Sequence, residues 1–501
     1  MKKSISLIIA LLMLSGQIMA CSQATVDEAD NSAAAPNPST DASDTVSAET
    51  DRLDDGLEDA DFDGYQYNIF IHATITNDFL GEEITGEPIN DAQWERVLTV
   101  QDNYNCIIKP QVQTNTNNRT GHKELGTSVE AGTNDYDIAC MSAYSSCNAL
   151  VSGYLMDLNS IPNLDLTKPW WDQNSIEESR ILGKNFFATG DISTGDNGAT
   201  YCIYFNKNMA EMYNMPSFYD MVDNMTWTID NFRIYAEQVT ADLDKDNDGN
   251  HVNDPDDVYG IWIWDDIMMG IVNSTGIKCC TIDEEGNITL QLYSEKFVNA
   301  FDKFASYAFN KDVTCAYQRN GYAADYGQIA FREGRGLFFM QNLGAAISFR
   351  EMEDDFGILP LPLYDETQSR YYNSAASWSL SLYTIPKSSH NNEGLARIGT
   401  ITQALAYESL YTLTPAYYEQ TLQNKVSRDV ESAQMLDLIF ATRTYDFGWY
   451  FEVGAYNESI MNLLRSYNTD VASMYRMAEK SATKILKKTN EKIKSMIEEF
   501  N

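Results

Sequence analysis

The stretch IAFREGRGLFFMQN, residues 329–342, contains a complete change from one type of secondary structure to another. Its first residues are typical of a helix end, and Gly334 or Gly336 supplies the left-handed residue with which many helices finish. The apolar run LFFM then predicts a buried strand, because strands covered on both faces have no polar alternation. The strand leads to polar Gln341 and Asn342. A helix followed directly by a buried strand favours an α/β architecture.

Other segments repeat this alternation. The pattern of YQYNIFIHATI, residues 65–75, predicts a first strand, and residues 226–243 predict an amphipathic helix with Thr228 as its cap. Further strands are predicted in CIIKPQVQT (106–114) and YDIACMSA (136–143), further helices at 89–103 and 150–164, and a second set of elements from ATYCIYFNKNMAEMY (199–213) onward. We therefore expect α/β layers with mainly parallel strands.

The amino-terminal residues have the order of an export signal. A basic pair (2–3) precedes an apolar run (5–14), and small or flexible residues follow up to Cys21. The run is too short to span a bilayer as a permanent helix. The residues IMAC (18–21) resemble the bacterial lipoprotein box, which implies a signal peptide over 1–20 and a lipid on the thiol of Cys21. An ordinary signal peptide with a chance cysteine is the alternative.

Residues 21–60 are predicted to be a disordered tether. Between Ser22 and Ala60 the chain has eleven acidic residues, one arginine and hardly a large apolar side chain. Such a segment cannot bury enough surface to offset the entropy that it would lose on ordering. Like charges extend a linker, so we expect this segment to hold the folded part away from the membrane.

The rest of the 501-residue chain is too long for one typical core and predicts two lobes. The chain carries 73 acidic and 35 basic residues, a net charge of −38. Nucleic acid and anionic lipid repel so acidic a protein, which argues against both as partners. No other apolar run is long enough to span a membrane. We expect a monomer outside the cytoplasm, attached to the cell membrane only by its lipid.

Cysteine and histidine usage points to no metal or disulfide framework. Seven cysteines follow Cys21, an odd number, and their spacing defines no pairing. The four histidines are far apart in the sequence, whereas a zinc site needs clustered ligands. Most of the cysteines are expected to be small buried apolar residues, and their disulfide state stays open.

Five phrases, in this order, resemble the extracellular solute-binding proteins of ABC transporters, in the sugar-binding group to which the maltose-binding type belongs. Each phrase alone is weak, but together they extend from about residue 200 to residue 429, and the resemblance covers the chain from about residue 65. The phrases are ATYCIYFNKNMAEMY (199–213), TWTIDNFRIYAEQVT (226–240), IAFREGRGLFFMQN (329–342), DDFGILPLP (354–362) and YESLYTLTPAYYEQTLQNKVSRD (407–429).

The resemblance implies an α/β fold of the type II periplasmic-binding-protein class, with two lobes, a hinge and a ligand cleft between the lobes. We place lobe 1 at residues 61–190 plus 343–408 and lobe 2 at 191–342 plus 409–501. A carbohydrate, expected to be an oligosaccharide, would bind in the cleft, and closure would be recognised by the membrane permease of an ABC importer. The chain has no phosphate-binding loop of its own, so the ATPase would be a separate chain.

The family pattern also implies which residues contact the ligand. Aromatic faces suit the C–H face of a sugar ring, and carboxylates and amides bind its hydroxyl groups. A tryptophan in an α/β protein is nevertheless often a core residue. The candidates are Tyr144, Asp191, Trp262, Trp264, Asp265, Gln341, Asn342 and Trp378.

The segment DLDKDNDGNHVNDPDDVYG, residues 242–260, contains the start of a calcium loop. Asp244, Asp246 and Asp248 alternate, and Gly249 allows the tight bend that follows. The twelfth position is Pro255, so the loop is not a complete EF-hand. Related solute-binding proteins carry a similar acidic loop, and we expect a structural Ca²⁺ rather than a solvated acidic turn. Its further candidate ligands are Asn250, Asp254 and Asp257, with Asp256 as an alternative.

Two other classes of protein remain open. With 73 acidic residues, a pair of catalytic carboxylates is always conceivable, so a lipid-anchored glycoside hydrolase is the main rival. Against an enzyme stand the absence of a GxSxG motif and of clustered histidines. A ligand-presenting sensor protein is the third possibility, and the sequence does not separate sensing from transport.

Overall fold

The strands and helices below come from a computed structural model. It describes residues 52–500 except 73–78, 82, 114, 116, 242, 244–255, 320 and 423–429. The predicted signal peptide, Cys21 and most of the predicted tether lie outside these described residues. Residues 52–60 contain no helix or strand, and Leu57 and Ala60 pack against the core.

The strands of the described residues fall into two larger sheets and two short pairs. They are β1 (Tyr65–His72), β2 (Cys106–Gln113), β3 (Ile138–Ser142), β4 (Tyr201–Asn206), β5 (Tyr259–Ile263), β6 (Cys280–Ile282), β7 (Ile288–Leu290), β8 (Thr314–Ala316), β9 (Gly336–Asn342), β10 (Phe356–Leu359), β11 (Asn373–Ser374), β12 (Ser381–Thr384) and β13 (Arg443–Thr444).

Helices separate most of the strands. They are α1 (Pro88–Tyr104), α2 (Gly121–Ala131), α3 (Ala143–Ser152), α4 (Gln173–Glu178), α5 (Gly195–Ala199), α6 (Lys207–Met212), α7 (Phe218–Asp223), α8 (Ile229–Ala236), α9 (Ile267–Ser274), α10 (Glu295–Ala308), α11 (Tyr326–Arg332), α12 (Asn392–Tyr411), α13 (Leu413–Leu422), α14 (Val430–Ala441), α15 (Phe447–Tyr450), α16 (Tyr456–Arg465) and α17 (Val471–Phe500). Short 3₁₀ helices lie at Leu158–Ser160, Leu343–Phe349 and Val453–Ala455.

The first sheet has the strand order β12-β3-β1-β2, and the second has the order β10-β4-β9-β5-β8. In the first sheet β1 is parallel to β2 and β3, while β12 is antiparallel to β3. In the second sheet β5 is parallel to β8 and β9, while β4 is antiparallel to β9 and β10. Both sheets are therefore mixed: β12 is the antiparallel strand at one edge of the first sheet, and β4 is the strand of the second sheet that runs against both of its neighbours.

Local sequence signals explain several of these elements. Helix α11 is followed by Gly334 with φ of +72°, and β9 then carries the fully buried LFFM, as the opening stretch predicts. Helix α8 begins after Thr228, whose hydroxyl accepts a hydrogen bond from the Asn231 amide at 3.2 Å. This cap satisfies one of the amides that a helix start leaves without a backbone partner.

The chain passes between the sheets more than once. It leaves the first sheet before β4 and returns to it between β10 and β12. Near these crossings Thr200 forms a β-bridge with Ala375, and the short strands β11 and β13 pair in parallel. Strand β10 pairs with β4 of the second sheet, so the return to the first sheet comes after Leu359. The predicted bounds of the two lobes stay a prediction.

The lysine-rich helix α17 packs against elements that lie far apart in the chain. Asn490 exchanges two hydrogen bonds with the backbone of Ile288 in β7, at 2.9 and 3.0 Å. Met496 lies against Gly153, the residue that ends α3. Ile493 and Met496 are buried, whereas Ile485 is exposed. No helix in the described part of the chain is both long enough and apolar enough to cross a membrane.

Candidate ligand-binding site

Predicted site residues lie at the carboxyl ends of strands in both sheets. Tyr144 follows β3, Trp264 and Asp265 follow β5, and Gln341 and Asn342 end β9. Trp378 precedes β12, whose first residue pairs with the last residue of β3. In open α/β sheets ligands bind beyond the carboxyl ends of the strands, so this edge is the place to search for a site.

The two edges are in direct contact through Trp378 and Asp266. The indole Nε1 of Trp378 donates a hydrogen bond of 2.6 Å to Asp266 Oδ2, and the hydroxyl of Tyr201 donates another of 2.9 Å to the same oxygen. Trp378 belongs to the chain that enters the first sheet, whereas Asp266 and Tyr201 border β5 and β4 of the second. Burial raises the pKa of the Asp266 carboxyl, and the two donors oppose that shift.

A cavity of about 430 Å³ lies beside Trp378 and is lined from several elements. None of the described residues that line it carries a charged side chain, although the chain has 73 acidic residues. Its walls combine small residues, amides, hydroxyl groups and two aromatic rings. The lining residues are Ile89, Thr194, Gly195, Gly198, Ala199, Gln328, Asn342, Leu343, Gly344, Ala345, Ala346, Ile347, Trp378, Ser379, Tyr417, Gln420 and Thr421.

Trp378 presents its ring to solvent at this cavity. The structure describes all eight tryptophans, and Trp378 is the one with an exposed side chain, at 41%. A ring that is held at one edge by a hydrogen bond and exposed on its face is suited to stacking against an apolar surface of a ligand.

Tyr144 is buried behind this ring. Ser377, the neighbour of Trp378, donates a hydrogen bond of 2.8 Å to the Tyr144 hydroxyl. The guanidinium of Arg119 lies 4.2 Å from the centre of the Tyr144 ring and also bonds to Glu452 at 2.9 Å. Burial raises the pKa of Tyr144, so its hydroxyl stays protonated at neutral pH.

Asp265 has a different environment from that of its neighbour Asp266. Its side chain is fully buried, and Arg465 Nε donates to it at 2.9 Å while Arg319 Nε lies 3.7 Å away. Burial raises the pKa of Asp265, and the two arginines oppose that shift. These ion pairs attach α16 to the end of β5, so Asp265 has a structural partner on each side.

The predicted tryptophans of β5 are placed differently from each other. Trp262 is fully buried, and its indole donates to the Arg335 carbonyl at 2.7 Å. Trp264 is half-buried, with its ring centre 5.0 Å from that of Tyr317. Tyr317 in turn accepts a hydrogen bond from Gln341 at 3.5 Å, and Gln341 accepts one from the Asn342 amide.

Asp191 lies in a second, smaller cavity of about 190 Å³. Thr414 donates a hydrogen bond of 2.6 Å to its Oδ1, and burial raises its pKa from 3.8 to about 6. The same cavity is lined by Asp172, Asp196 and Arg443, which form a buried ion-pair cluster.

The structure thus brings together some predicted residues and separates others. Asn342 and Trp378 line one cavity, and Tyr144 accepts a hydrogen bond from Ser377, the neighbour of Trp378. Trp262 lies in the core, and Asp191 lines a different cavity. Sequence reasoning missed Asp266, Tyr201 and Tyr417. Asp266 had a usable signal, because a second carboxylate directly follows the predicted site residue Asp265.

Of the predicted calcium ligands, Asp257 and the alternative Asp256 belong to the described residues. Asp257 is buried and accepts a hydrogen bond of 2.7 Å from the Leu243 amide, whereas Asp256 is exposed and lies 3.7 Å from Arg335 Nη1. Asp244, Asp246, Asp248, Asn250 and Asp254 lie outside the described residues. The part of the chain that the structure describes contains no cluster of three acidic, histidine or cysteine side chains suited to a metal ion. Calcium binding stays a prediction.

Comparison with known proteins gives similarity at the level of structure. No protein-family model matches the sequence, and no curated protein matches it either. The structure is similar to that of a cyclo/maltodextrin-binding protein complexed with maltotetraose, with a TM-score of 0.55 and 13% identity over 84% of this chain and 96% of that chain.

Two further solved structures have comparable similarity. The ABC substrate-binding protein Lmo0181 from Listeria monocytogenes, in complex with cycloalternan, has a TM-score of 0.52 and 11% identity over 87% of this chain and 99% of that chain. UgpB from Mycobacterium tuberculosis, in complex with glycerophosphocholine, has a TM-score of 0.53 and 14% identity over 87% and 98%. The chain therefore has the fold of the two-lobed solute-binding proteins of ABC transporters, and the predicted fold class is confirmed. The hinge and the ligand cleft between the lobes stay predictions.

Proposed function

We propose that this protein captures an uncharged carbohydrate, expected to be an oligosaccharide, and delivers it to the permease of an ABC importer. The observation that carries the proposal is the exposed ring of Trp378 beside a cavity of about 430 Å³ whose described walls have no charged side chain. A cavity without charge favours a neutral ligand, because a charged group that entered it would lose its hydration without gaining an ionic partner.

The chemistry of the walls suits hydroxyl-rich ligands. The ring of Trp378 offers an apolar face for the C–H face of a sugar, while Gln328, Asn342 and Gln420 offer amide donors and acceptors. Structures with the same fold are described as complexes with maltotetraose, cycloalternan and glycerophosphocholine, so the fold itself accepts several solute classes. Because the described residues that line this cavity have no charged side chain, the cavity favours neutral solutes such as oligosaccharides.

The proposal includes export and anchoring. The export signal and Cys21 support a lipoprotein outside the cytoplasm, and the acidic segment between Cys21 and the packed residue Leu57 would give the folded part its reach from the membrane. The protein would act as a monomer that closes on its ligand and is then recognised by the permease. A structural Ca²⁺ in the acidic loop 244–257 is part of the same proposal.

The proposal is tested by thermal unfolding of the purified protein with a panel of ligands, in the presence of Ca²⁺. Only a ligand that prefers the folded state raises the melting temperature. The panel contains monosaccharides, linear and cyclic oligosaccharides, and, as the charged compound, glycerophosphocholine, whose phosphate and ammonium groups carry opposite charges. We expect a neutral sugar to raise the melting temperature and to be recovered unchanged by chromatography.

Three other outcomes would contradict parts of the proposal. Recovery of a shortened sugar would favour the glycoside hydrolase that the acidic composition leaves open. Stabilisation by the charged compound alone would contradict the neutral cavity. A melting temperature that does not change on removal of Ca²⁺ with a chelator would contradict the calcium site. Sensing is distinguished from import by whether cells that lack the gene still take up the sugar.

A further inference from the structure

The ring of Trp378 is partly exposed and makes one hydrogen bond. It is 41% exposed, and the bond from its indole Nε1 to Asp266 is the polar contact of its side chain among the described residues. Its backbone carbonyl accepts a bond of 3.2 Å from Asn118. The bond from Asn118 thus holds the backbone of Trp378 on the side of the first sheet, while the bond to Asp266 holds its ring on the side of the second sheet.

Asp266 is held rigidly on its own side. It precedes α9, is only 6% exposed, and accepts the hydroxyl of Tyr201 at 2.9 Å. Tyr201 begins β4 and packs against Gly270 of α9, where a side-chain Cβ would come within 2.9 Å of the tyrosine ring. The carboxylate therefore has little freedom to follow a displaced indole.

The geometry points to Asp266 as the positioning residue for Trp378, fixing the ring in the orientation in which it stacks on the ligand. Asp266 does this without contacting the ligand itself. This inference rests on the proposed function. A preorganised ring does not lose its torsional freedom on binding, and that loss amounts to about 0.5–1.5 kcal/mol for a flexible side chain. Removal of the restraint should therefore weaken sugar binding by up to about tenfold.

The test compares Asp266→Leu, which removes the acceptor, with Asp266→Asn, which keeps an acceptor oxygen of similar shape. Tyr201→Phe is the matched control, because it removes the other donor to the same carboxylate and leaves the indole bond. Thermal unfolding confirms that each variant folds. The first readout needs no ligand: the indole N–H resonance of Trp378, assigned by its absence in Trp378→Phe, is followed by hydrogen exchange.

We expect slow exchange of this N–H in the wild-type protein, Tyr201→Phe and Asp266→Asn, and fast exchange in Asp266→Leu.

The second readout is sugar affinity. Asp266→Leu should weaken binding by up to about tenfold, yet it should change affinity less than about twofold when added to Trp378→Phe, because both substitutions remove the same bond. If the loss of affinity in the double variant equals the product of the losses in the two single variants, the inference is overturned.

The two readouts separate this inference from the proposed function. If no sugar binds the wild-type protein, the proposed function fails, and the exchange measurement still decides the positioning. An indole resonance that is unchanged in Asp266→Leu would overturn the positioning role even if sugar binds well.

Discussion

Arg443 donates a hydrogen bond of 2.7 Å from Nη1 to Asp196 and thereby joins strand β13 to the segment that leads from the first sheet to the second. The same nitrogen bonds to Asp172 at 2.9 Å, and Nη2 bonds to Asn197. One buried guanidinium thus connects three segments of the chain near the crossings between the sheets.

Replacement of Arg443 by Met should destabilise the protein strongly. The substitution keeps most of the apolar volume but leaves Asp172 and Asp196 as buried carboxylates without their cation, which typically lowers the free energy of unfolding by about 3–5 kcal/mol. Urea unfolding measures the effect. The control Arg476→Met changes an exposed arginine and should stay within about 0.5 kcal/mol of the wild type. Equal stability of both variants would mean that the cluster adds nothing.

Asp191 should make stability depend on pH. Its pKa rises from 3.8 to about 6 on folding, so the folded state holds this proton more tightly than the unfolded state. The contribution of Asp191 is therefore fully present below pH 4 and is lost as the pH rises through 6. Asp191→Asn keeps an acceptor for Thr414 and removes the ionisation.

The stability gained by Asp191→Asn should consequently be larger at pH 8 than at pH 4. Urea unfolding at both values measures the difference. A gain for Asp191→Asn that is the same at both pH values would contradict the assignment.

Removal of the Trp378 ring should weaken ligand binding more than it weakens the fold. Trp378→Ala deletes an exposed ring at the cavity, so we expect at least about a tenfold loss of sugar affinity with a small change in melting temperature. Titration calorimetry with the sugar found in the panel measures the affinity. Tyr213→Ala removes another exposed aromatic ring that does not line the cavity, and its affinity should match that of the wild type.

Gly399 should be intolerant of even one added carbon. It lies in α12, where a Cβ would come within 2.0 Å of the Pro162 carbonyl oxygen, so Gly399→Ala forces the helix away from that loop. Overpacking of this kind destabilises by about 1–3 kcal/mol. Gly198→Ala is the control, because the nearest atom to its Cβ is 3.9 Å away. Indistinguishable melting temperatures of the two variants would contradict the packing described for α12.

Local signals in the sequence predict much of the fold. Gly334 marks the end of α11, and Thr228 marks the start of α8, because both act on the backbone next to them. The sheet membership of β10 was not predictable in the same way. Its prolines indicate where the strand ends, but its partner β4 lies about 150 residues earlier, and no local pattern encodes that pairing.

The candidate site was harder to predict than the fold. Trp262 and Trp378 are the same residue type, yet one is inside a central strand and the other is in the connection before β12. Only the position relative to the strand end separates a core ring from an exposed one. Asp265 and Asp266 differ in the same way, since one faces two arginines and the other faces Tyr201 and Trp378.

Helix α17 has a consequence for how the protein is assembled during synthesis. Asn490 bonds to Ile288 across 202 residues of sequence, and Met496 covers the end of α3 near the beginning of the first sheet. A ribosome delivers the amino-terminal part of the chain first, so these contacts must wait until residues 490–496 have emerged. Until then the growing polypeptide leaves the surfaces of Ile288 and Gly153 uncovered, and closure of the structure is a late event in its biosynthesis.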